Sequence, residues 1–245
     1  MRQATRTTAP SPGEDSLSAS RGSGLTRRLI QLYGGVVLYG VSSALQLRAG
    51  LGLAPWDVLN QGIARHTGLS IGVATIVVGA AVLLLWIPLR QRPGLGTLSN
   101  VLLIGLVIDA TLSLTPAPTS LWARVPLLLF SIVLCGVATG LYISPRFGPG
   151  PRDGLMTGLH HRTGRSVRLV RTCIEVVVLG TGFALGGSVG VGTVLYAVGI
   201  GPLAQFFLRV FALPEKERPR AATECPKVPE VALPTTPVRE CPDPV

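Results

Sequence analysis

Long apolar runs alternate along this chain with short polar breaks rich in glycine and proline. Six runs, residues 29–47, 71–89, 95–114, 125–143, 169–185 and 191–213, approach the length of about 17–25 residues that a helix needs to cross a bilayer. Two shorter helical stretches lie after the first and fourth runs. They open at Pro55 and Pro151, since proline is pre-set for the first helical position. Asp57 and Asp153 stand in their first turns, where a carboxylate complements the helix dipole. They stop near Gly68 and Gly164, residues suited to the left-handed closing position. At about 12 residues, or roughly 18 Å, neither crosses a core of about 30 Å. Each must lie at the interface or dip in and return.

Each half therefore reads as span, short helix, span, span, and the halves share residues. Residues 55–109 align without a gap on 151–205, with 15 identities over 55 positions at an offset of 96. The agreement concentrates in Pro55/Pro151, Asp57/Asp153, Gly68/Gly164 and Ser70/Ser166, and in GLGT (Gly94 to Thr97) against GVGT (Gly190 to Thr193). Repeated glycines and prolines mark repeated backbone geometry. Three spans per half is an odd number, so the second half enters the membrane from the opposite side, which predicts an inverted repeat. Gly40 and Ala44 in the first span match Gly136 and Gly140 in the fourth, small-xxx-small faces that let helices approach closely.

Charge agrees with that plan. Only 14% of the 245 residues are charged against 47% apolar, yet the net charge is +10. With the N-terminus placed in the cytoplasm, 17 Lys and Arg fall on the inner side: Arg2, Arg6, Arg21, Arg27, Arg28, Arg90, Arg92, Arg146, Arg152, Arg162, Arg165, Arg168 and five in the C-terminal tail. Three, Arg48, Arg65 and Arg124, fall outside. This is the positive-inside asymmetry of a membrane protein. It argues against nucleic acid as the partner of the basic residues, which lack interleaved aromatics. The first run follows Arg27-Arg28 as a signal peptide would, but its full length and the five spans after it favour a retained helix. Residues 1–24 and the proline-rich residues 214–245 lack apolar periodicity and are expected to be disordered cytoplasmic tails. The membrane domain is then 25–213, with repeats of about 25–114 and 121–213.

Few side chains inside the spans carry chemistry. Asp57 and Asp153 either serve helix-start electrostatics or face a ligand or proton path. Arg171 and Glu175 share a helix face at i, i+4, as a structural pair or as a substrate- or proton-binding group. Asp109 and Gln205 occupy equivalent positions in the third and sixth spans, where they line a cavity or bond a neighbouring helix. Asn100 and Tyr196 form a weaker matched pair. His66, His160 and His161 stand at the ends of the short helices, where a solvated role is expected. Cys135 and Cys173 fall within spans and Cys225 and Cys241 in the tail, with no metal-ligand spacing. No nucleophile-and-base constellation appears, so neither an enzyme nor a cofactor is expected.

The runs GLGLAPWDVLNQG, HTGLSIG, RPGLGTLSN and GLVIDA, then GPGPRDGLMTGL, RTGRSVRLVRTCIE and GGSVGVGTVLYAVGIGPL, resemble the YczE-like branch of the YczE/YyaS/YitT group of bacterial integral membrane proteins. The resemblance spans roughly residues 28–211. It implies a multi-span protein of the inner membrane and supplies no substrate or catalytic residue.

The sequence thus predicts an all-α membrane protein of six transmembrane helices, arranged as two inverted three-span repeats with both termini cytoplasmic. The expected function is a small-molecule transporter or permease; the alternative is a membrane scaffold supporting another enzyme or pathway. Its partners are the lipid bilayer and either a small molecule, a second copy or another membrane protein.

Overall fold

The computed structural model describes residues 12–91, 93–145, 147–148 and 150–211, and among them every regular element is a helix. The helices are α1 (Pro12–Ala49), α2 (Pro55–Thr67), α3 (Ile71–Trp86), α4 (Leu95–Leu114), α5 (Leu121–Ile143), α6 (Pro151–Thr163), α7 (Val167–Ala184) and α8 (Val191–Val210). The 96-residue offset carries α2 onto α6 and α4 onto α8 residue for residue. α1 begins at Pro12, within the stretch expected as a tail, and its apolar part is Leu25–Ala49. The expected C-terminal tail lies outside the described residues.

Local chemistry explains the boundaries. Pro55 and Pro151 open α2 and α6, and Gly68 (φ 72°) and Gly164 (φ 64°) close them in the left-handed conformation. The N–H groups of those glycines return to the carbonyls of Ala64 and His160 at 2.9 Å each. Ser70 and Ser166 then cap the next helices, their hydroxyls accepting the N–H of Val73 at 3.1 Å and of Leu169 at 3.4 Å. Thr97 and Thr193 reach back from the third residue of α4 and α8 to the N–H of Gly94 and Gly190.

Among the described residues, four helices are long and apolar enough to cross a membrane: Leu25–Ala49 of α1, α4, α5 and α8. α2 and α3 form a pair bent by 113°, which makes five if the pair is counted as one span. The runs expected at 71–89 and 169–185 appear as α3, of 16 residues, and α7, of 18. α3 is roughly 24 Å long at 1.5 Å per residue, short of a full core. α7 carries Arg168, Arg171 and Glu175, more charge than a lipid-facing helix tolerates.

α1 and α5 pack against each other at the centre, α4 lies on α1, and α8 lies on α5. The small residues singled out in the sequence make these seams. A Cβ at Gly40 would fall 2.8 Å from Val107 of α4, and one at Gly136 2.8 Å from Leu203 of α8, the same contact in each half. Contacts between the halves are reciprocal as well. Gly192 N–H donates to the Leu51 carbonyl at 2.8 Å, and Gly96 N–H donates to the Phe147 carbonyl at 3.2 Å. Each pair is the other shifted by 96. Gly52 (φ 121°) and Gly148 (φ 119°) make the sharp bends that bring these strands of backbone onto the starts of α8 and α4.

Candidate functional site

The short helices start beside each other, where the two halves meet. Pro55, Trp56, Pro151 and Arg152 from their first turns border a cavity of about 270 Å³, which α1, α3, α4, α5, α7 and α8 complete. Both halves therefore supply its wall.

Arg152 dominates the site. Its Nη1 donates to the Tyr39 hydroxyl at 3.1 Å, and its Nη2 lies 3.8 Å from Asp57 Oδ1. The guanidinium sits 5.0 Å over the Trp56 ring. Trp56 and Arg152 hold equivalent positions in the two repeats, so one residue meets its counterpart in a cation–π contact. The Asp57 side chain is 4% exposed and the Arg152 side chain 24%. A buried carboxylate at that depth needs a cation beside it, and Arg152 crosses from the other half to provide one. Asp153, next in sequence, accepts from the Tyr142 hydroxyl at 3.2 Å. The Tyr39 and Tyr142 rings meet edge to face at 6.1 Å. The bend before α2 is held by Gln46, a buried side chain whose Oε1 accepts the Ala54 N–H at 3.2 Å.

The six side chains singled out in the sequence separate into three placements. Asp153, Arg171, Glu175 and Gln205 line the cavity. Arg171 Nε donates to Glu175 Oε1 at 2.9 Å, with side chains 48% and 31% exposed. Asp57 lies behind the wall, against Arg152. Asp109 is elsewhere: it accepts the Ser70 hydroxyl at 2.5 Å and the Gly72 N–H at 2.8 Å, and so ties the end of α4 to the start of α3. Asp109 and Gln205 thus match in sequence and differ in placement. Asn100 and Tyr196 both line the cavity, as do Thr75 and Gly79, the counterparts of Arg171 and Glu175. The histidines lie apart; His160 Nδ1 meets the Arg165 carbonyl at 2.6 Å.

Arg152 is the residue that sequence reasoning missed, because it was counted among the inner-loop cations. Moving it to the cavity leaves the basic asymmetry of the loops intact. A signal was present: a cation in the first turn of a helix faces the positive end of the dipole, so Arg152 beside Pro151 needs acidic partners from elsewhere. Tyr39, Trp56 and Tyr142 carried no comparable signal, since aromatic residues in spans are ordinary packing material.

Residues 26–209 match the model of a family described as a family of unknown function, DUF6198. The chain is 44% identical over 175 residues to an uncharacterized protein of Haemophilus influenzae, covering 71% of this chain and 80% of that one. It is 33% identical over 174 residues to the uncharacterized membrane protein YczE of Bacillus subtilis, with coverage of 71% and 80%. Against the uncharacterized protein YyaS of the same organism it is 26% identical over 180 residues, covering 72% and 90%. No solved structure matches. With all the cavity-lining residues inside the matched range, the chain belongs to the DUF6198 family, within a YczE-like group of membrane proteins.

Proposed function

We propose that this chain is a transporter of small molecules, built from two inverted three-span repeats, with the cavity at their junction as the solute site. The observation that carries the reading is that both short helices begin at one cavity, walled by residues of both halves and holding polar groups on a largely apolar lining. A half-crossing helix that starts at mid-depth places its N-terminal N–H groups beside a bound solute, as in known inverted-repeat carriers. The spans are α1, α3 and α4, then α5, α7 and α8; α2 and α6 are the re-entrant elements. Reciprocal contacts such as Gly192 to Leu51 and Gly96 to Phe147 are those a two-fold axis produces, and three crossings per half lay that axis in the membrane plane. The distribution of basic residues among the loops supports cytoplasmic termini in a bacterial inner membrane.

The cavity is at the small end of ligand sites, which run about 300–1,000 Å³, so it suits a metabolite rather than a peptide. Hydroxyls, the amides of Asn60, Asn100 and Gln205, the Arg171–Glu175 pair and Arg152 offer polar contacts within the apolar wall and suit a solute with polar groups. Asn60 strengthens this point: it is buried, it lines the cavity, and its Oδ1 has no hydrogen-bond partner among the described residues. A donor on the solute would satisfy it.

Flux into proteoliposomes across a panel of polar metabolites tests the reading. Wild-type protein should move at least one solute, and Arg152→Ala, at equal inserted amount, should not. Transport by Arg152→Ala at the wild-type rate would remove the cavity from the pathway. Failure of the wild type on every solute would favour the scaffold. Labelling of single cysteines checks orientation: Thr119→Cys and Ser188→Cys should react from outside only.

A further inference from the structure

Two seams flank the cavity, and the repeat makes them counterparts. α3 packs along α4, whereas α7 and α8 show no such packing. The difference is sharpest at equivalent glycines. A Cβ at Gly105 of α4 would run into the Gly72 carbonyl and the Ile76 side chain of α3, both at 2.5 Å. A Cβ at Gly201, the same position in α8, would meet nothing within 4 Å, and Gly201 borders the cavity. The latches differ in step. Asp109 holds the first seam shut through the Ser70 hydroxyl and the Gly72 N–H. In the second seam, Gln205 is exposed and lines the cavity, and among the described residues the Ser166 hydroxyl serves its own helix through the Leu169 N–H.

We infer that the α7–α8 seam is the gate of the cavity, and that it shuts as the α3–α4 seam is already shut: the Gln205 side-chain carbonyl docks on the Ser166 hydroxyl and on the first N–H groups of α7. This rests on the transporter reading and adds its moving part. One substitution in the seam fits the same closure. Arg168 replaces Gly72, so α7 cannot reach the backbone-to-backbone approach of the first seam. Glutamine is one methylene longer than aspartate and spans the wider gap. By the inverted repeat, the two latches lie at opposite membrane faces. The structure then has its outer seam closed and its inner seam open, and solute passage requires the two to exchange states.

Disulfide formation tests this in the full chain, in inside-out membrane vesicles whose cytoplasmic face is exposed, with the four native cysteines replaced by alanine. Ser166→Cys with Gln205→Cys should lose both free thiols under mild oxidation, as Ser70→Cys with Asp109→Cys should in the closed seam. A reporter, Thr75→Cys in the cavity wall, should react with a membrane-impermeant thiol reagent before the crosslink. It should slow by about tenfold after the crosslink and recover on reduction. If the Ser166/Gln205 pair keeps its thiols under oxidation that closes Ser70/Asp109, the docking contact is wrong. If the crosslink forms and Thr75→Cys reacts as fast as before, the seam is not the mouth. An unreactive reporter in the uncrosslinked protein also overturns the proposal, because lipid or a second copy then fills the gap. Gln205→Leu guards against a crosslinking pair that does not fold: with the carbonyl gone, Thr75→Cys should react faster than in wild type, and a rate equal to or below wild type refutes the latch. No solute enters these measurements, so their failure leaves the transporter reading to stand or fall on the Arg152 flux.

Discussion

Replacing Arg152 with alanine should destabilise the protein through the carboxylate it leaves behind. At 3.8 Å, two unit charges attract by about 4 kcal/mol at an effective dielectric of about 20. The cation–π contact with Trp56 adds about 0.5–2 kcal/mol. Part of that gain offsets desolvation of two buried groups, so the net worth of the pair is smaller than the sum. Breaking it is another matter. Asp57 is nearly sealed from solvent, and an orphaned buried charge costs about 3–5 kcal/mol. The assay is unfolding in detergent, comparing wild type with Arg152→Ala, Asp57→Asn and the double variant. Arg152→Ala should fall by that amount. The double variant should recover most of it, because a neutral amide at position 57 needs no cation. Arg152→Lys should fall between, keeping the charge while losing the flat group over Trp56. If the double variant is as unstable as Arg152→Ala alone, the cost is lost packing and the electrostatic argument fails.

Asp109→Ala should cost about 1–3 kcal/mol and speed hydrogen exchange at Gly72, whose N–H loses its acceptor; unchanged exchange there would deny the tie between α4 and α3. Gly154→Ala should be poorly tolerated, because its Cβ would strike the buried Trp86 indole, at about 1–3 kcal/mol for overpacking. Gly201→Ala, facing open space, should be neutral or gain up to about 1 kcal/mol of helix propensity by the same unfolding assay. Glu175→Gln should change stability by less than about 1 kcal/mol, since its pair with Arg171 is part-exposed. Flux through that variant, at equal inserted protein, decides whether the carboxylate takes part in transport, and a wild-type rate excludes it.

The element plan was legible because its signals are local. Proline at 55 and 151, glycine at 68 and 164 and serine at 70 and 166 fix helix ends by their own backbone and capping chemistry, and the repeat states each of them twice. The packing of Gly40 and Gly136 was legible for the same reason. The site was legible only in part. Asp153, Arg171, Glu175 and Gln205 drew attention as polar residues in or beside apolar runs, and all four border the cavity. Asp109 drew equal attention and turned out to tie two helices together, since a sequence shows that a buried acid needs donors and not where they come from. Arg152 was hidden by its setting among loop arginines. Its three partners, Tyr39, Trp56 and Asp57, lie 95 or more positions earlier, and only the folded chain brings them within reach.

The crossed backbone bonds between the halves have a consequence for synthesis. The Leu51 carbonyl waits for the N–H of Gly192, which leaves the ribosome 141 residues later. At about 5–20 residues per second, that is an interval of roughly 7–30 s. During it the first repeat sits in the bilayer with the start of α2 uncovered, and until Arg152 is made Asp57 also lacks its cation. Insertion of the first four helices is therefore a holding state, and a truncation before α5 should be cleared by proteolysis rather than accumulate as a stable half.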